Sequence, residues 1–143
     1  MEPRHQIIDI SVQIEYNISI FLAAWLGIER DTSRSLGTKS SSLSLNQQIN
    51  LIVDMNILEK SQAQKLVLFA QIRNKFAHVA EINTYDQCLK SNKDLNKGIR
   101  KLYPLTNSID DEFDSQQRII SLLADITVIG EQLINKLRNK QDE

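Results

Sequence analysis

Residues 61–80, SQAQKLVLFAQIRNKFAHVA, run through twenty positions without a Gly or a Pro. Ser61 stands where an N-cap is wanted, so the segment predicts a helix from Ser61 to about Ala80. Working outward, residues 6–30 space Ile7, Ile10, Ile14, Ile18, Phe21, Trp25 and Ile28 by three or four, the period of one helix face, and predict a helix from Gln6 to Arg30. Ile20, Leu22, Ala23, Ala24 and Leu26 make the second half of that helix apolar nearly all round, which asks for more than one neighbour and invites a partner subunit. On the other side, Ile119, Leu122, Leu123, Ile126, Ile129, Leu133, Ile134 and Leu137 predict a helix from about Ser115 to Asn139, with the NKQDE tail fraying.

The remaining segments are shorter. DTSRSLGTKSSSLS, residues 31–44, combines charge, Gly37 and six Ser, and predicts a long loop. Leu45–Asp54 follows as a short helix with Ile49, Ile52 and Val53 inward, before MNILEKS breaks the pattern. Residues 84–102 carry a fainter helical pattern around Cys88, Leu89, Leu95, Ile99 and Leu102, ended by Pro104. With four Gly, two Pro, no Asn-Gly or Asp-Gly turn and no strictly alternating run, the sequence reads as one all-α domain over residues 1–143. The expected architecture is a helical bundle of two long helices and about three shorter ones.

Composition removes several classes of function. The chain has 143 residues, 41% of them apolar and 24% charged, which is enough for one core without staples. Seventeen Lys and Arg against eighteen Asp and Glu leave a formal charge of -1, so no global basic field draws nucleic acid or membrane, and any phosphate contact must be local. One Cys and two His fall short of a structural zinc set, and neither metal nor cofactor is expected. The longest apolar stretch, Ile18–Ile28, is interrupted by Ser19 and is far below the ~20 residues that span a bilayer. MEPRHQ at the start is not a secretory signal. A cytoplasmic protein with no membrane segment is the expectation.

The candidate site lies on the central helix. At 100° per residue with Leu66 at zero, Ala70 falls near about 40°, Ala77 near about 20° and Phe69 near about 300°, while Arg73 falls near about 340°. An arginine thus stands in the apolar arc, where an unpaired buried charge costs several kcal/mol unless a carboxylate, a phosphate or a wet cleft receives it. Asn74 and His78, at about 80° and 120°, share one edge of the same helix.

Arg73-Asn74-Lys75-Phe76-Ala77-His78 resembles the signature of the HEPN superfamily (higher eukaryotes and prokaryotes nucleotide-binding): an Arg, a polar residue, and a His after four to six intervening residues. LGTKSSSLSLNQQINLIVDMNILEK followed by LVLFAQIRNKFAH is further similar to mannitol-repressor-like proteins, the resemblance covering roughly residues 36–80. It implies an all-α bundle that dimerises so that two motifs face one cleft, which in active members is a metal-independent endoribonuclease of toxin or defence systems. The mannitol-repressor-like branch is associated instead with transcriptional regulation, which implies a non-catalytic module holding a protein partner.

The residue types suit RNA cleavage. His78 can exchange a proton with a ribose 2′-hydroxyl or a leaving oxygen near neutral pH. Arg73 offers planar, permanently charged donors to a phosphate gaining charge, and Asn74 can orient either. Lys75 and Tyr85 are the further candidates for holding RNA, Tyr85 by stacking on a base or else by packing over the helix end. Arg73 and His78 differ by about 140° on an ideal helix, so one chain does not aim both at one atom, whereas two chains about a dyad can. The plain alternative pairs Arg73 with Glu15 or Glu29 on the first helix and leaves Asn74 and His78 to cap a helix end. The expected partners are a second copy, RNA, and an antitoxin or regulator protein.

Elsewhere, His5 reads as solvated and Cys88 as a small buried hydrophobe. Asp110, Asp111, Glu112 and Asp114 suit a helix start better than a cation site. Lys90, Lys93, Lys97, Arg100 and Lys101 read as a solvated face rather than an RNA track.

Overall fold

The computed structural model describes residues 2–37 and 42–141 and is all helix among them. Six α-helices run in the order α1 Pro3–Leu26, α2 Leu45–Asp54, α3 Lys60–His78, α4 Tyr85–Lys90, α5 Lys93–Leu102 and α6 Asp111–Gln141, with a 3-10 turn at Arg30–Thr32. Helices α1, α3 and α6 pack against one another as the centre of the bundle. Helix α2 flanks α1 and α3, while the α4–α5 pair covers α3 and α6. Ile7 and Leu22 of α1, Phe69, Ile72 and Phe76 of α3, and Ile119 and Leu122 of α6 are sealed in the shared core. Truncating Phe69 to Ala there would cost ~3–5 kcal/mol.

Side chains outside the apolar stripe set the helix ends, and they move several expected boundaries. Pro3 opens α1, where its missing N–H costs nothing. The helix stops at Leu26 rather than Arg30 because Gly27 takes a left-handed conformation (φ 70°) and Ile28 N–H turns back to the Ala23 carbonyl at 2.8 Å. Ile28 therefore lies outside the stripe and is exposed. Helix α3 begins one residue before Ser61, its Gln62 side chain accepting from the Glu59 N–H at 3.0 Å. Helix α2 starts at Leu45 as expected on a reciprocal Ser44–Gln47 box, although Val53 faces solvent.

The segment 84–102 is two helices, not one. Asn92 breaks it by capping the Leu95 N–H at 3.0 Å. Helix α6 starts at Asp111 because the Asp110 carboxylate takes the Phe113 N–H at 2.8 Å, and it runs to Gln141, two residues past the expected Asn139. Lys140 holds that end by donating to the Trp25 carbonyl at 2.7 Å and lying 4.2 Å from the Trp25 ring centroid. The acidic cluster is a helix start: Asp111 pairs with Lys90, Glu112 accepts from the first N–H groups of α4, and Asp114 accepts from Ser108 and Ile109. Part of the long loop expected over 31–44, residues 38–41, falls outside the described residues, as do the last two residues of the tail.

Over an 18-residue window α1 reaches a mean hydropathy of 1.4, the composition of a membrane span, which a count of uninterrupted apolar residues missed. Its packing between α3 and α6 gives that apolarity a use inside the bundle.

Candidate functional site

Helix α3 carries Leu66, Phe69, Ala70, Ile72 and Phe76 into the core. Ala77, placed near the apolar arc by an ideal wheel, is exposed. The inward face therefore ends at Phe76, and the last turn of α3 stands at the edge of the bundle. Arg73 is half-buried at that edge. Its guanidinium donates to Asn74 Oδ1 at 3.2 Å, while its Nε is buried without a hydrogen-bond partner. Neither Glu15 nor Glu29 pairs with it, and among the described residues Arg73 has no ion pair at all. The structural alternative of a neutralised arginine is thus corrected. Arg73 stays a cation whose remaining donors lack an acidic partner, an arrangement that a phosphate oxygen would complete.

His78 is the last residue of α3 and is exposed. Asn74 turns its amide oxygen to Arg73 and makes no hydrogen bond to His78 among the described residues, so the structure brings Arg73 and Asn74 together but not His78. The expected helix-capping role for Asn74 and His78 is also filled by another residue. Arg4, in the first turn of α1, donates to the Phe76 and Ile82 carbonyls and, at 3.3 Å each, to those of Val79 and Ala80. Phe76 is among the carbonyls a helix C-terminus leaves without intrahelical partners and the other three belong to the turn that follows, where a cation is favourable. Arg4 therefore fixes the turn that ends in His78 to the start of α1. One signal for it was in the sequence: a basic residue in a helix's first turn opposes its own dipole, which points to a use elsewhere.

Tyr85 does not present its ring to solvent. It is 4% exposed, packs edge-on to Phe76 with ring centroids 6.1 Å apart, and donates its hydroxyl to Gln6 Oε1. Of its two expected roles, packing over the end of α3 is the one the structure shows and stacking on a base is not, and burial pushes its hydroxyl pKa up, with Glu112 adding to the rise. Lys75 is half-buried and close enough to Cys88 to lower the thiol pKa a little, though burial dominates and pushes it up to about 12. Cys88 is thus the buried, unreactive thiol its surroundings predicted. His5 and the basic residues of α4 and α5 are exposed, and no cluster of potential metal ligands occurs among the described residues.

Fold and site together define an all-α helical bundle with an uncompensated arginine at its edge. No family model, curated protein or solved structure matches the chain.

Proposed function

We infer that the chain is a HEPN-type, metal-independent endoribonuclease acting as a cytoplasmic homodimer, with Arg73, Asn74 and His78 of both copies lining one cleft. The observation that supports this reading most is the lack of any acidic partner for Arg73, a half-buried cation whose Nε is orphaned. A structural arginine at that depth carries a carboxylate or, as Arg4 does, a set of backbone carbonyls, and among the described residues Arg73 has neither. In the proposed reaction His78 accepts the proton of a ribose 2′-hydroxyl, that oxygen attacks the adjacent phosphorus, and the 5′-oxygen leaves as its bond to phosphorus breaks, taking a proton from the His78 imidazolium of either copy. Arg73 neutralises the charge that accumulates on the phosphoryl oxygens, held in plane by Asn74. The second copy supplies the His or Arg that one helix cannot aim at the same atom, and Lys75 adds positive charge beside it. An antitoxin protein would hold such an enzyme in check.

A second reading, the non-catalytic regulatory module, draws on a different observation. Val12, Tyr16 and Ile20 recur every four residues on α1 and are 62%, 49% and 40% exposed, a surface suited to another protein chain. Incubation with single-stranded and structured RNA in excess EDTA separates the two. The first reading expects cut RNA bearing 2′,3′-cyclic phosphate ends and intact DNA, which lacks the nucleophile. Folded, dimeric protein that cuts none of a broad RNA set leaves the second reading standing.

A further inference from the structure

Helices α1 and α6 pack together yet leave a groove of about 380 Å³ between them, sharing no lining residue with the Arg73–His78 edge. Its walls are aliphatic and aromatic, with Ile14 and Phe21 from α1 facing Ile129 and Leu133 from α6. Gly130 forms part of the wall, and a Cβ built there meets nothing within 4 Å, so the groove is open where almost any other residue would begin to close it. A glycine in mid-helix disfavours the helix, which makes that opening costly to keep. The lining runs along α1 from Ile10 to Phe21, about 16 Å at 1.5 Å per residue. Dividing the volume of about 380 Å³ by that length gives a mean section of about 24 Å², far below that of a whole helix about 10–12 Å across. The space fits a single methylene chain. At its rim stand Gln13, Asn17 and one charged residue, Glu131, with no Lys or Arg. An anionic head such as a fatty-acid carboxylate would be repelled there, and a cationic one attracted.

The geometry points to a binding site for a single-chain amphiphile with a cationic head, its chain lying between α1 and α6 and its head beside Glu131. Pockets of this size, mostly apolar with a small number of placed polar groups, are the usual form of small-molecule sites. The site is independent of any RNA cleavage.

The test titrates decyltrimethylammonium below its micelle-forming concentration, following calorimetric stoichiometry and the fluorescence of Trp25, the only tryptophan, whose ring lies 5.5 Å from that of the groove residue Phe21. One molecule should bind per chain, saturably, and shortening the chain to octyl should weaken binding about 15-fold, from about fourfold per buried methylene. Decyl sulfate should bind at least tenfold more weakly, and Glu131→Lys should reverse that preference. Gly130→Leu should fill the groove and cost at least tenfold in affinity without lowering the melting temperature. Unchanged affinity in Gly130→Leu, equal binding of the two head groups, or several molecules bound per chain would overturn the site. Conversion of a dimer to monomer by Gly130→Leu would overturn it too, since a second copy would then be the occupant. Should Gly130→Leu fail to fold, the Glu131→Lys reversal decides alone.

Discussion

The Arg73 guanidinium donates to Asn74 Oδ1 at 3.2 Å, and this neighbour on its own helix is its one polar partner among the described residues. A side chain that has given up part of its hydration for a single neutral hydrogen bond adds little to stability, and its charge is available to something outside the chain.

Arg73→Ala should therefore leave the protein nearly as stable as before, within about 1 kcal/mol, because no buried carboxylate is stranded by the change. Urea denaturation measures it. A loss of ~3–5 kcal/mol would mean that Arg73 neutralises a buried acid after all.

Arg4→Ala should behave in the opposite way. It strips the cation from four carbonyls at the end of α3, and charged hydrogen bonds of this kind are worth ~1.5–3 kcal/mol, so a loss of about 2 kcal/mol is expected. Arg4→Lys should recover only part of it, since an ammonium lacks the planar fork. The same denaturation series checks both, and faster amide exchange over residues 79–82 should accompany the loss.

How far the sequence carries depends on where each signal is local. Period and the absence of breakers placed all the major helices, since those depend on side chains a few positions apart. Ends depended on single polar groups: the turn-back at Gly27 and the Asp110 cap were present in the letters, but the anchoring of Lys140 on Trp25 joins residues 115 positions apart. At the site, the off-pattern Arg73 was legible because a charge in an apolar arc breaks the period. Its want of an acidic partner was not, because pairing with Glu15 or Glu29 depends on how α1 crosses α3. The choice between the two roles of Tyr85 was not legible for the same reason: only the packing of α4 on α3 decides that its ring covers Phe76.

The pH dependence at the acid side should draw in part on Asp125, alongside Asp111 and Asp114, whose carboxylates are also held below the ordinary value. The Asp125 carboxylate accepts from the Tyr103 hydroxyl at 2.5 Å and pairs with Lys65 at 3.0 Å, and these contacts, the tyrosine first, hold its pKa below the ordinary value. A lowered folded pKa means the unfolded chain takes up the proton first. The stabilisation is then complete above the unfolded pKa of ~3.9 and is lost as pH falls through the folded value. Melting temperature should fall below about pH 4, and Asp125→Asn should flatten part of that fall while leaving pH 6–8 behaviour flat. An unaltered acid limb in the variant would remove Asp125 from the account.

Self-association is required by a site assembled from two edges. Light scattering at tens of micromolar should give twice the chain mass of 16.4 kDa. A strict monomer would dismantle the composite site, whatever the chemistry of Arg73.

The most direct test of the central claim compares wild-type protein with His78→Ala on the same RNA in excess EDTA. His78 is exposed at the end of α3, so the variant should remain folded and dimeric. Cleavage should fall by at least the ~10² that a general acid or base contributes. Wild-type rates in His78→Ala would contradict the claim that this edge is a ribonuclease site, as would a wild-type activity that appears only when Mg²⁺ is restored.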